Sequence, residues 1–329
     1  MGCRTKKGTT LRYRLAVASD LEPCSTLLPD AFKTTAHVRA RLPELWQSLL
    51  DANAANIVIF EDAGSIEGCA ISAHVSDAFV DGILRRPRPY LSALFYEEML
   101  AGRSPLLSPA KLRTANSSTG LNLLVLHFGL HNHDLSDART RAVLRAGGQA
   151  FYFFNTGYRY RLLLNEVYGR QAADYMQAGG LRQLHEFENL GDAPADRPFL
   201  FGLRKEWVAV GAVNEMSWLF DAPTPRFGFT PTEQSVLLRA MLNESDAQIA
   251  AHTGVSLDTV KKTWRRAFDR AATVAPYLFA ADHPDGSAGQ GRAPGSAHQP
   301  RGSEKRRHLL DHLRMHLEEL RPHEIVKPA

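Results

Sequence analysis

Five cations crowd one stretch of this chain. Lys261, Lys262, Arg265, Arg266 and Arg270 lie between Leu257 and Arg270, against only Asp258 and Asp269, a net of +3 (five minus two). At about 100° per residue, Val260, Trp264, Ala267, Phe268 and Ala271 share one face of a helix, and Lys261, Lys262, Arg265 and Arg266 spread over the opposite arc. Lys and Arg on such an arc can donate to guanine O6 and N7 in a major groove, and Arg pairs well with phosphate oxygens. The expectation is DNA contact through Thr259, Lys261, Lys262, Arg265 and Arg266. Lys261, Lys262 and Arg265 would reach base edges, and Thr259 and Arg266 would reach phosphate.

Other chemistry-bearing residues give weaker patterns. His127, His131 and His133, with Asp134, supply imidazoles in ligand number, but they straddle a strand end and a loop without a second cluster. His308, His312 and His316 recur at i, i+4 and i+8 beside a leucine seam and read as a solvated stripe. No metal site is expected from either group. Phe151-Tyr152-Phe153-Phe154 reads as core, and the basic segment 83–90 as a solvated loop. No Ser/His/Asp or Cys/His arrangement can be placed, so no catalytic residue and no cofactor are assigned. Cys3, Cys24 and Cys69 form no CxxC pair, which fits a reducing, cytoplasmic setting.

The elements that must position the cationic arc carry their own signals. Thr230, Pro231 and Glu233 form a capping box with Pro at the first helical position. Val236, Leu237, Ala240 and Met241 give that helix its buried face, and Asn243 can stop it. Ser245 and Gln248 repeat the box for a second helix carrying Ile249 and Ala250. Gly254 suits the turn that follows, and Ser256 caps the third helix. The spacing therefore predicts a helix-turn-helix over 229–280.

This stretch resembles the LuxR-type regulators, whose signature runs approximately LTPREREVL…IA…GIS..TVK.H. The corresponding residues are Phe229-Thr230-Pro231-Thr232-Glu233, Val236-Leu237, Ile249-Ala250, Gly254-Val255-Ser256 and Thr259-Val260-Lys261. The family's third-helix histidine is Thr263 here, and its glycine after the first helix is Asn243. The resemblance implies a DNA-binding transcription regulator rather than an enzyme. The expected partner is double-stranded DNA; the related helix-turn-helix of sigma factors adds RNA polymerase as a candidate, and the first domain would take a small-molecule effector. Two-fold operators match a homodimer, and the seam of Leu310, Leu313, Leu317 and Leu320 suits a partner helix that would help form it, or the rest of the fold.

The rest of the chain is read as follows. With 329 residues, 44% of them apolar, a net charge of +4 and pI near 9.0, about two folded domains are expected. There is no run of about 18 apolar residues that would span a membrane, and the opening residues lack an apolar signal segment. Residues 1–10 and 281–303 read as disordered, 221–228 as a linker, 304–320 as an amphipathic helix, and 188–198 as a candidate internal boundary. Residues 11–220 interleave strands and helices, an α/β or α+β domain on one central sheet that would sense a ligand or oligomerise. Its strands are expected at 11–18, 56–60, 67–80, 121–128 and 181–187. A helix is expected at Tyr158–Tyr168 and a loop at 103–118.

The order of elements over 11–187 is similar to the GNAT acetyltransferases, with Tyr175-Met176-Gln177-Ala178-Gly179-Gly180-Leu181 as the helix-to-strand passage near the end of that fold. That family places a Q/RxxGxG/A loop after the strand corresponding to Leu121–Phe128, to hold the pyrophosphate of acetyl-CoA. Here the sequence is HNHDLSDARTRAVL, and Gly147-Gly148 comes later, within a helix. A regulator is therefore the main expectation; the alternatives are an acyltransferase-like enzyme with an appended helix-turn-helix and a sigma-like module that contacts polymerase through the same basic helix.

Overall fold

The computed structural model describes residues 11–28, 33–53, 55–132, 134, 136–188, 190, 193–208, 216–279 and 302–324. The stretches 1–10 and 280–301 lie outside them. The chain divides into two units, one up to Ala222 and one from Pro223.

The first unit is a mixed α/β fold on one seven-stranded sheet. Its strands are β1 (Arg12–Leu15), β2 (Ala55–Asp62), β3 (Ser65–Val75), β4 (Leu121–Leu130), β5 (Tyr160–Tyr168), β6 (Arg182–Glu186) and β7 (Pro198–Arg204). The sheet order is β1-β2-β3-β4-β5-β7-β6, antiparallel throughout except for the parallel β4–β5 pair. The helices of this unit are α1 (Leu21–Ser25), α2 (Ala36–Ala40), α3 (Leu42–Ala52), α4 (Asp77–Arg85), α5 (Leu91–Leu100), α6 (Pro109–Ser117), α7 (Ala138–Asn155) and α8 (Arg170–Ala178).

Side chains alternate across the sheet as strand geometry demands. Ile57, Ile59, Ile71, Leu124, Leu162 and Leu164 join Leu45, Trp46, Leu49, Phe95 and Tyr96 in one core. Leu121, Leu123, Leu163, Phe199 and Phe201 join Leu112, Ala173 and Leu219 in another. Within the first core the Trp46 indole N–H donates to the Tyr96 hydroxyl at 2.8 Å, tying α3 to α5 and satisfying two polar atoms that burial would otherwise penalise.

Three local expectations are corrected. Residues 158–168 hold a strand: Leu162 and Leu164 enter one core and Leu163 the other, so the apolar run reflects burial on both faces and not a helical stripe. The strand read over 67–80 ends at Val75, because the Ser76 hydroxyl accepts from the Phe79 N–H and starts α4. The loop read over 103–118 contains α6, capped by Ser108 with Pro109 in its first turn.

The second unit contains α9 (Pro231–Met241), α10 (Asp246–Thr253), α11 (Leu257–Val274) and α12 (Gly302–Met315). Thr230 and Glu233 form a reciprocal capping box on α9, and Ser245 and Gln248 form another on α10. Gly254, at φ 67°, makes the left-handed turn into α11 without the backbone strain that an L side chain would carry there. Val260, Trp264, Ala267 and Ala271 are buried. Leu310, Leu313, Leu317 and Leu320 are buried within this same chain, where α12 and the turn after it pack on α9 and α11. The leucine seam is thus already covered, and the expectation that it serves a homodimer is corrected on that ground. Among the described residues no helix is long and apolar enough to cross a membrane.

Candidate active site

The two central strands of the sheet part company. β4 and β5 pair in parallel only over Leu121–Val125 and Tyr160–Asn165. Beyond that point β4 stays with β3 as far as Leu130, while β5 runs on beside β7 to Tyr168. A fork opens between them. At its branch the β3–β4 register skips: Ile71 faces His127 and Ser72 faces Val125, which leaves Leu126 as an extra, bulged residue. A bulge bends its strand and raises the local twist, which turns β4 away from β5.

Helix α5 holds both lips of this fork with consecutive residues. The Leu91 N–H donates to Glu166 Oε1 on β5 at 3.0 Å. The Ser92 hydroxyl donates to the Leu126 carbonyl on β4 at 2.6 Å. Tyr90, just before α5, sits at φ 63°, ψ 53°, in the left-handed region that a bulky residue rarely adopts. That conformation turns the backbone donors of Tyr90 and Leu91 toward the carboxylate.

Glu166 is the chemically distinctive group. Burial pushes its carboxyl up to about 7, against the opposing pull of the Tyr168 hydroxyl and the α5 backbone donors. Tyr168 donates to Oε1 at 2.9 Å. Oε2 is buried and has no hydrogen-bond partner among the described residues. A carboxylate poised near neutral pH with an open lone pair is equipped to take a proton from a bound group.

On β4, one residue after the bulge, His127 stacks on Tyr96 at 5.6 Å and lies 6.1 Å from Trp46. Burial lowers its pKa to about 3, so the ring is neutral at physiological pH.

The turn from β4 into α7 carries its own anions. Asp137 caps α7, accepting from the Thr140 N–H at 2.7 Å and the Thr140 hydroxyl at 3.1 Å. Asp134 accepts from the Ser136 N–H at 2.8 Å and its hydroxyl at 2.9 Å. Arg139, in the first turn of α7, is 2.7 Å from Glu67 and 3.1 Å from Asp62. Gly147 and Gly148 lie inside α7. Gly147 lets the helix close on β4, since a Cβ there would come within 2.6 Å of the Phe128 ring.

The residues assigned to DNA contact all lie on α11. Thr259 helps form its cap, its N–H donating to Ser256 Oγ at 3.1 Å. Lys261, Lys262, Arg265 and Arg266 are exposed, with Lys262 paired to Asp258 at 2.8 Å. Arg270 pairs instead with Glu233 at 3.0 Å. Of the histidines, His127 is a core residue, His312 and His316 stack at 4.2 Å, and His133 lies outside the described residues. The sequence reading missed Glu166, Ser92 and the Tyr90–Leu91 turn. The one signal available was a glutamate embedded in the apolar run LLLNEVY, and a helix was assigned there.

No family model matches the chain, and no curated protein does. Solved structures do match. FeeM, an N-acyl amino acid synthase from uncultured soil microbes, shares 11% identity with a TM-score of 0.36, over 61% of this chain and 93% of its own. An N-acetyltransferase from Staphylococcus aureus shares 14% with a TM-score of 0.31, over 60% and 99%. Mutant forms of the spermidine/spermine N-acetyltransferase SpeG from Vibrio cholerae share 12% with a TM-score of 0.34, over 60% and 94%.

These neighbours are acyltransferases. The expectations of a LuxR-type DNA-binding transcription regulator that is not an enzyme, with DNA, RNA polymerase and an effector as partners, are corrected accordingly. The physical reason is that capping boxes, a glycine turn and a basic outer face record how helices end and how they meet water. Those features do not by themselves select a ligand.

Proposed function

We propose that the first unit is an acyltransferase that moves an acyl group from a thioester to an amine. The observation that supports this is the fork between β4 and β5 with the Glu166 carboxylate on its lip. Strands that diverge leave backbone donors and acceptors along the gap, and an extended arm bearing amides can pair with them as another strand would. Pantetheine is such an arm.

The chemistry then follows. The amine nitrogen attacks the thioester carbonyl, an N–C bond forms and the C–S bond breaks. Glu166 Oε2 takes one proton from the ammonium to free its lone pair, and the second proton that the nitrogen sheds as the amide forms passes to the departing thiolate, giving a thiol. An amine is charged at neutral pH, so a base with a pKa near 7 suits it better than an ordinary carboxylate, which is too weak a base there.

The test is thiol release by the full chain from S-acetyl thioesters in the presence of a panel of amines. Turnover that depends on an amine and is lost in Glu166→Gln supports the reading. Absence of any amine-dependent thiol release overturns it.

A further inference from the structure

We propose that this chain recognises its acyl donor through the pantetheine arm alone, and that Asp137 denies the α7 N-terminus to a diphosphate. The inference rests on the acyltransferase reading and specifies its donor.

A helix N-terminus that opens beside a strand is a natural anion site, because its first-turn N–H groups point outward and unpaired. In this chain two of those groups, the Arg139 and Thr140 N–H, are already used. The Asp137 carboxylate accepts the Thr140 N–H at 2.7 Å and also bonds the Arg139 N–H. The Arg141 N–H donates to the Asp137 carbonyl at 3.2 Å. A second carboxylate, Asp134, is folded onto Ser136 in the same turn.

The local cations do not offset this. The Arg139 guanidinium lies between Glu67 and Asp62, and the Arg141 guanidinium donates back to the Ser136 carbonyl at 2.5 Å. Among the described residues, four carboxylates therefore stand with two guanidiniums around this helix end: Asp62, Glu67, Asp134 and Asp137 with Arg139 and Arg141. The Thr140 N–H holds the Asp137 carboxyl below the usual carboxylate range, and the Ser136 hydroxyl and N–H do the same for Asp134, so both stay charged at neutral pH. A diphosphate brought here would meet like charge and find two of the first-turn donors taken. The thioester end of the donor meets no such obstacle, because the fork opens at the bulge, between Leu126 and Glu166, before β4 reaches this turn.

The test compares three thioesters that share one acyl group and one arm: S-acetyl-coenzyme A, S-acetyl-4′-phosphopantetheine and S-acetylpantetheine. Their binding to the full-length chain is measured by calorimetry. The expected result is dissociation constants within about threefold of one another, because no helix-end contact rewards the diphosphate. In Asp137→Ser, which keeps a capping hydroxyl and removes the charge, the preference for S-acetyl-coenzyme A over S-acetylpantetheine should rise by about tenfold. Two results overturn the inference while leaving an acyltransferase intact: wild-type binding of S-acetyl-coenzyme A that is tighter than S-acetylpantetheine by about thirtyfold or more, or a ratio that does not move in Asp137→Ser. Failure of all three thioesters to bind overturns the acyltransferase reading along with it.

Discussion

Leu91 donates its backbone N–H to Glu166 at 3.0 Å across 75 residues of sequence. The next residue, Ser92, donates its hydroxyl to Leu126 at 2.6 Å. Two consecutive residues at the start of α5 thus hold the two lips of a fork in the central sheet. The strained Tyr90 backbone is what lets the first of them face the carboxylate. The arrangement fixes a buried, half-satisfied carboxylate beside a gap that runs between strands.

The base is the first point to test. Glu166→Gln keeps the shape and removes the proton acceptor, so amine-dependent thioester turnover should fall by about 10²–10⁴-fold with thioester binding little changed. In the wild type, kcat/KM should rise with pH through about 7, where the carboxyl ionises. A flat profile over pH 5.5–8.5, around the expected pKa of about 7, would remove Glu166 from the chemistry.

The same residue makes a prediction for stability. Its folded pKa is raised above the unfolded value, so the folded state holds the proton to higher pH and stability falls as pH rises from the unfolded pKa toward about 7. Glu166→Gln should therefore gain stability relative to the wild type at pH 8 and lose that advantage at pH 4. Chemical denaturation of both chains at the two pH values checks the sign.

His127 works in the opposite sense. Its folded pKa is depressed to about 3, so its contribution is present above the unfolded pKa of about 6.5 and is lost as pH falls. Between pH 7 and pH 4 the loss should be about 3 kcal/mol. His127→Phe, which keeps a ring against Tyr96, should flatten that part of the pH–stability curve.

Ser92 ties the bulge to α5. Ser92→Ala removes the donor to a buried carbonyl and should cost about 1–2 kcal/mol in unfolding experiments. If the contact also sets the fork, kcat for thioester turnover should fall further than stability alone explains, and Ser92→Thr should restore part of it.

Adjacent glycines in α7 should behave oppositely. Gly147→Ala places a Cβ 2.6 Å from the Phe128 ring and should destabilise by about 1–3 kcal/mol. Gly148→Ala meets nothing within 4 Å and should stabilise by about 0.5–1 kcal/mol, because alanine is the better helix former. Thermal melts of the two variants distinguish tight helix–sheet packing from a general intolerance of the helix.

Much of the second unit was legible in the sequence. Thr230 with Glu233, Ser245 with Gln248, and Gly254 act within a few residues of themselves, and the helices begin and end where those residues place them. In the first unit the turn at Ala63-Gly64 and the Asp137 cap are local in the same way. The order of elements suggested the fold, whereas the function drawn from the basic helix did not survive.

What the sequence could not determine is anything set by distant partners. Glu166 reads locally as one more residue in an apolar run. Its carboxyl is raised toward neutrality only because β7 on one side and α5 on the other take it out of water, and because β4 leaves it at the bulge. The leucine seam likewise did not name its occupant until α12 was packed on α9 and α11. Caps and turns are decided by hydrogen bonds closed over three or four residues, so the chain carries them in its own order. The acidity of a carboxyl is decided by the dielectric and the donors around it, and those are assembled only by folding.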